Sequence, residues 1–161
     1  MNIYLIGMPG CGKSSVGLKL SSDIGYLYVD LDKYIENKAS MSIPQIFDTL
    51  GEDGFRALET NALYDFKNLT GHIISCGGGI IRNKSNKELM NGKVVFINVP
   101  IDILKDRIKS DKENIRPMFK TKTVEELYLE RRDKYDYFKD IEVKNINVLE
   151  CVNDIIKELG L

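Results

Sequence analysis

Apolar residues along this chain fall into five short runs, separated by longer stretches whose apolar positions recur at helical spacing. The first run, Ile3, Tyr4, Leu5 and Ile6, is continuous rather than alternating, as expected of a strand covered on both faces. Comparable runs at 26–29, 72–75, 92–99 and 142–148 predict four more strands. Between them, Val16, Leu18, Leu20 and Ile24 suit one side of a helix, and Phe55, Leu58, Ala62, Phe66 and Leu69 suit another. A helix is also expected at 101–109, and Val152, Ile155, Ile156 and Leu159 mark a closing amphipathic one. Punctuation agrees with this: Ser42 followed by Pro44 predicts a helix start, Gly51 a break, and Thr123 with Glu126 has the S/T-x-x-E form of a capping box, opening a helix through Asp136 or beyond. The order is β-α-β, a helical segment, then β-α-β-α-β-α. It predicts one α/β domain over 1–161, with helices on both faces of a five-stranded parallel sheet.

Two segments exceed what that scaffold needs. The helical residues at 31–70 are more than a minimal crossover requires and predict an insert suited to covering a second substrate. Residues 110–123 are polar, irregular and contain Arg116-Pro117, which predicts a lid.

Candidate chemistry begins at residues 7–14, Gly-Met-Pro-Gly-Cys-Gly-Lys-Ser, which fit the phosphate-binding pattern G-x-x-x-x-G-K-S/T between a predicted strand and a predicted helix. In that setting the backbone at Gly10, Cys11 and Gly12 turns its N–H groups onto a phosphate chain, and the helix N-terminus at Ser14 and Ser15 adds its positive dipole. Lys13 then reaches the β- and γ-phosphates and Ser14 ligates Mg²⁺. ATP with Mg²⁺ is the expected nucleotide. A Cys11 thiol beside a helix N-terminus is also a candidate for alkylation.

Composition narrows the partner. At 161 residues and a formal net charge of −1, with both signs mixed throughout, the chain has no basic stripe for nucleic acid. Three dispersed cysteines fit a reducing compartment rather than a disulfide framework or zinc site. No apolar stretch reaches membrane length, so a soluble, cytoplasmic, monomeric protein binding small molecules is expected. Only six residues are Arg against 17 Lys, so the arginines mark places where a planar, bidentate grip is wanted.

Three further features extend the site. If the second strand stays extended, Asp30 and Asp32 project from one side at its carboxyl end, where parallel sheets bind ligands; helix capping is the competing use. Neither the third nor the fourth strand ends in an acid, so Asp30 is the candidate to hold Mg²⁺ directly or through water. Gly77, Gly78 and Gly79 follow the third strand and offer backbone that a ligand can approach closely. Arg116 on the lid is placed to neutralise charge on a transferring phosphoryl group. His72, the only histidine, is assigned no catalytic role.

These marks together resemble the shikimate kinase family, a branch of the nucleoside-monophosphate-kinase-like phosphate-loop folds. They are the phosphate loop, Asp30-Leu31-Asp32, Gly-Glu-x-x-Phe-Arg-x-x-Glu at 51–59, the triple glycine, Arg116-Pro117, and Arg131 with Tyr135 four positions on. The resemblance runs over essentially the whole chain. It implies a P-loop NTPase three-layer α/β/α sandwich, with ATP phosphorylating the 3-hydroxyl of shikimate. It further implies that Arg56 and Arg131 grip the substrate carboxylate, Asp32 receives ring hydroxyls and acts as base, and Gly77, Gly78 and Gly79 border the ring. Lys13 and Arg116 would then supply charge, and Arg107 would contact the adenine. Competing readings are a gluconate or nucleoside-monophosphate kinase of the same fold, and a nucleotide-binding module without catalysis.

Overall fold

The computed structural model describes residues 1–110 and 121–161. All five residues of β1 (Asn2–Ile6) are buried, and because strand side chains alternate between faces, both faces of the sheet must be covered at this strand. It lies at the centre of one parallel sheet with β2 (Leu27–Asp30), β3 (His72–Ser75), β4 (Gly92–Asn98) and β5 (Ile141–Lys144), in the order β2-β3-β1-β4-β5. In register, Tyr4 pairs with Ile74 on one side and Val94 on the other. Around the sheet run α1 (Lys13–Ile24), α2 (Leu31–Ala39), α3 (Ile43–Phe66), a 3₁₀ turn (Ile80–Arg82), α4 (Asn86–Leu89), α5 (Ile101–Ser110), α6 (Val124–Phe138) and α7 (Val148–Leu159). The five-stranded α/β architecture expected from the pattern is therefore present.

The order of strands places β1 where the connections reverse direction: the chain leaves β1 for β2 and β3 on one side, then crosses to β4 and β5 on the other. The loops leaving β1, β2 and β3 thus share the carboxyl edge beside the switch point, the usual ligand position in open parallel sheets.

Three details differ from the sequence reading, and the break expected at Gly51 agrees with it. The extended conformation does not persist from Asp30 to Asp32. Asp30 is the N-cap of α2 and accepts the Lys33 N–H at 3.2 Å, so Asp32 sits in the first helical turn. The break expected at Gly51 is present: its φ of 71° and ψ of −179° are non-helical, a conformation open to glycine at little cost, and helical backbone resumes beyond this kink within α3. The strand expected at 142–148 spans Ile141–Lys144. The apolar Ile146 and Val148 suggested continuation, but Asn147 between them caps α7 by accepting the Glu150 N–H at 3.2 Å. Finally, Leu18 and Leu69, expected in the core, are exposed, while Val16, Leu20, Phe55, Ala62 and Phe66 are buried.

Helix starts follow their local chemistry. Ser42 and Gln45 form a reciprocal capping box at α3 with Pro44 in the first turn, and Thr123 accepts the Glu126 N–H at 3.1 Å to open α6. A different tether holds the N-terminal end of β1. The buried Asn2 donates through Nδ2 to the carbonyls of Phe66 (3.1 Å) and Leu69 (3.0 Å) and accepts the His72 N–H at 3.1 Å. One side chain thereby satisfies three backbone groups of the α3–β3 connection. Asn2→Ala strands them, and is expected to lower the free energy of unfolding by about 3 kcal/mol. An unchanged urea midpoint would show that water replaces the amide there.

Candidate active site

The backbone of residues 7–12 wraps the start of α1, with Gly12 as N-cap at φ 89°, a left-handed conformation that favours glycine. Lys13 curls back over this loop, donating to the Gly7 carbonyl at 3.0 Å and the Met8 carbonyl at 3.3 Å. Ser14 and Ser15 follow on the first turn and are exposed. Cys11, expected to be open to alkylation, is fully buried, with Sγ packed so tightly that a Cβ on Gly7 would lie 2.7 Å from it.

Beside this loop the three consecutive glycines each face a different charged side chain. A Cβ on Gly77 would lie 2.7 Å from Asp32 Oδ1, one on Gly78 would lie 2.9 Å from Arg131 Nη1, and one on Gly79 would collide with the Arg56 guanidinium. Asp32 comes from α2, Arg56 from α3 and Arg131 from α6. Three elements distant in sequence therefore converge on one side-chain-free stretch of backbone. They line a cavity of about 620 Å³, whose apolar wall includes Phe47 and Phe55 with ring centroids 4.8 Å apart. Asp32 Oδ1, Arg56 Nε and Arg131 Nη1 are all buried without a hydrogen-bond partner among the described residues. Buried polar atoms are rarely left so, and three around one cavity point to a ligand with both acceptor and donor groups.

Helix phase explains why Arg131, and not its neighbour, enters the cavity. Tyr135 lies one turn further along α6 on the same side, and its ring stacks on Phe96 of β4 at 4.5 Å. With α6 docked by that contact, Arg131 faces inward and is 5% exposed. Arg132 points elsewhere: it donates to the Glu142 carboxylate at 3.3 and 3.1 Å and to the Tyr128 hydroxyl at 2.9 Å, and its guanidinium lies 5.4 Å from the centre of the Phe96 ring. Those partners pin α6 to β5.

Electrostatics separate the two inward arginines. Arg56 already holds an ion pair with Glu59 at 2.6 Å, and Glu52 sits 3.6 Å from its other nitrogen. Glu59 is 1% exposed, and burial pushes its carboxyl up to about 7 against the pull of Arg56. Burial and the nearby Asp30 carboxylate likewise raise Asp32 above the ordinary carboxylate range, opposed by Lys13.

Arg107, on the last turn of α5, reaches the chain after β5, donating to the Asn145 carbonyl at 2.8 Å. Arg116 and 111–120 of the expected lid lie outside the described residues. Thr121 and Lys122, just beyond them, line the cavity.

A sequence model of the shikimate kinase family matches residues 9–159. The chain belongs to the shikimate kinase family. Members of this family transfer a phosphoryl group from ATP to shikimate, on the route to aromatic amino acids. The shikimate kinase of Aquifex aeolicus is 37% identical over 100% of this chain and 95% of its own length. That of Synechococcus elongatus is 34% identical over 98% and 89%. Among solved structures, a shikimate kinase from Acinetobacter baumannii in complex with shikimate has a TM-score of 0.87 at 29% identity, covering 99% of this chain and 92% of that one. A gluconokinase from Sinorhizobium meliloti, covering 99% of this chain and 91% of its own at 17% identity and TM-score 0.62, shares the fold alone.

Within the shikimate kinase motif at 51–59, sequence reasoning gave Glu59 no part, although its position three residues after Arg56 on a helix was signal enough for a pair. Phe47 and Leu127, which also line the cavity, carried no such signal. Glu59 has a consequence for pH. Its folded-state carboxyl keeps a proton up to about pH 7, whereas the ordinary group loses it near 4.5, so the folded state binds more protons in that window. Its contribution to stability is full below about pH 4.5 and is lost as pH rises through about 7. Glu59→Gln, which keeps the shape without the titration, should flatten this part of the stability profile. Parallel profiles for the two proteins, from urea midpoints across the window, would contradict the assignment.

Proposed function

We propose that this chain acts as a monomeric, cytoplasmic, Mg²⁺-dependent shikimate kinase. In this reading it transfers the γ-phosphoryl of ATP to the 3-hydroxyl of shikimate, with 31–70 as substrate-binding insert and 110–123 as lid. The observation that carries the site assignment is the convergence of unpartnered Asp32, Arg56 and Arg131 atoms on one cavity beside the phosphate loop. Two guanidinium groups suit a carboxylate, an aspartate suits hydroxyls, and Phe47 and Phe55 suit the carbon ring between them. That no helix among the described residues is long and apolar enough to cross a membrane, and that Cys11, Cys76 and Cys151 are buried and free, accord with this.

Each residue then has a task. Arg131, with no carboxylate partner among the described residues, takes the substrate carboxylate most directly, and Arg56 shares it while held in place by Glu59. Asp32 accepts hydrogen bonds from the ring hydroxyls. Its raised pKa keeps it close to taking the proton that the attacking 3-oxygen must lose as it bonds to the γ-phosphorus. Lys13 exchanges the Gly7 and Met8 carbonyls for β- and γ-phosphate oxygens and stabilises the charge spread over the transferring group. Most of the catalysis in such a loose transition state comes from this positioning and charge. Gly10, Cys11, Gly12, Ser14 and Ser15 supply backbone and helix-terminus donors, Arg107 flanks the base, and Arg116 closes over the phosphates.

The residues fit magnesium. No cluster of three or more His, Cys, Asp or Glu able to hold a metal occurs among the described residues, which suits an ion held mostly by nucleotide phosphates and water. The exposed Ser14 hydroxyl and the Asp30 carboxylate, one oxygen of which is engaged by the cap of α2, are the hard oxygen donors that would hold it. When bound, it would neutralise phosphate charge and orient the terminal phosphates.

The deciding measurement is ADP release with shikimate, gluconate and nucleoside monophosphates as acceptors. Turnover is expected with shikimate, and turnover confined to the others would overturn the reading. Lys13→Ala and Asp32→Asn should each abolish turnover with the fold intact by circular dichroism. Arg131→Ala and Arg56→Ala should raise the shikimate KM by roughly two orders of magnitude, the loss expected when one partner of a buried charge pair is truncated. The ATP KM should stay close to its starting value in both. Arg132→Ala should instead lower stability and leave the shikimate KM within about twofold; the opposite ranking of Arg131 and Arg132 would reverse their assignments.

A further inference from the structure

Asn145, the first residue after β5, is 1% exposed and held at three points. Its N–H donates to the Asn98 carbonyl at 3.0 Å, extending the β4–β5 ladder by one residue, and its carbonyl accepts from Arg107 Nη2 at 2.8 Å. Its side-chain Nδ2 then crosses to the phosphate loop and donates to the Cys11 carbonyl at 2.8 Å. Arg107 Nη1 reaches the same carbonyl at 3.5 Å. Contact is so close that a Cβ on Gly12 would stand 2.5 Å from Nδ2. The first two bonds engage only the backbone of Asn145; its buried side chain has the third, while Oδ1 has no partner among the described residues. The third, 134 residues along the chain from its acceptor, ties two separate parts of the site together.

The Cys11 carbonyl and the Gly12 N–H belong to one planar trans peptide, in which the two bonds point in opposite directions. Pinning the carbonyl towards Asn145 therefore turns the Gly12 N–H away from it. That N–H has no hydrogen-bond partner among the described residues. It is one of the backbone donors with which a phosphate loop receives an oxyanion. A free peptide unit at a left-handed glycine can rotate; this one is held from behind.

We propose that Asn145 is a positioning residue for the phosphate donor: by fixing the Cys11–Gly12 peptide it preorganises the Gly12 N–H for a nucleotide phosphate. Through Arg107, the same tether links the loop after β5 to the phosphate loop, so the two ends of the nucleotide site are set by one amide. Preorganised donors bind without the cost of reordering at the moment of binding. The inference rests on reading residues 7–14 as the ATP site.

The test uses the whole chain. Asn145→Ala removes the donor, Asn145→Asp keeps the shape but sets a carboxylate oxygen against the Cys11 carbonyl, and Asn145→Ser supplies a shorter hydroxyl donor. The ATP KM should rise about tenfold in Asn145→Ala and further in Asn145→Asp, with partial recovery in Asn145→Ser, while the shikimate KM stays within about twofold. A lowered melting temperature with an unchanged ATP KM would reduce Asn145 to a structural role. Equal rises in both KM values would show general loosening instead, and either result overturns the proposal. For variants that fail to fold, the unaltered protein supplies the readout. On adding ADP, the Gly12 amide NMR resonance should shift strongly while the Asn145 side-chain amide stays where it is, and an unresponsive Gly12 overturns the proposal. If the unaltered chain shows no shikimate-dependent ADP release, the reading of the reaction fails. If it turns over normally and the variants keep their ATP KM, only the role of Asn145 fails.

Discussion

The close approach of three charged side chains to the backbone at Gly77, Gly78 and Gly79 is the constraint on which the rest of the site depends. Any Cβ along this stretch would displace the Asp32, Arg131 or Arg56 side-chain tip from its present position. Residues from α2, α3 and α6 converge in this arrangement because the chain leaving β3 offers no side chains there. The parallel sheet sets the location: its carboxyl edge gathers the ends of β1, β2 and β3 beside the point where the strand order reverses. The cavity and the phosphate loop are neighbours for that reason.

Charge in the cavity is arranged unequally. Arg56 is braced by the buried Glu59, which fixes its orientation and offsets part of its charge, whereas Arg131 enters with an unpartnered nitrogen. A braced arginine supplies geometry and an unbraced one supplies attraction, so the proposed carboxylate grip combines both without two free charges repelling one another. Asp32, raised by burial and by Asp30 and drawn down by Lys13, stands between the proposed acceptor and donor halves of the site.

On the donor side the same economy recurs. Lys13 is not left without partners: its ammonium donates to the Gly7 and Met8 carbonyls, which keeps it over the loop, where the proposed phosphate contact would replace them. Opposite, the Asn145 amide and Arg107 hold the Cys11 carbonyl from the β5 side. Residues from both ends of the chain thus set the conformation of one short loop.

Much of this was open to a reading of the sequence, because local patterns carry it. Continuous apolar runs report strands covered on both faces, S/T-x-x-E and Ser-x-Pro report helix starts, and glycines at fixed offsets report a phosphate loop and a bare turn. By itself the sequence determined the α/β order of elements, the donor motif and the family to which 51–59, 77–79 and Arg131 belong. It misjudged the end of β5, where Ile146 and Val148 read as strand although Asn147 caps a helix, since cap and strand share the same extended backbone at that position. The resemblance named Arg131, but only the tertiary structure shows why it and not the adjacent Arg132 faces the cavity: helix phase there is set by Tyr135 stacking on a strand about forty residues earlier. Likewise the tertiary structure decided that Asp30 caps while Asp32 points to the glycines, that Glu59 braces Arg56 within the cavity wall, and that Asn145 reaches back to Cys11. Each of these depends on where side chains from remote elements meet, and contacts of that kind leave no periodic trace along the chain.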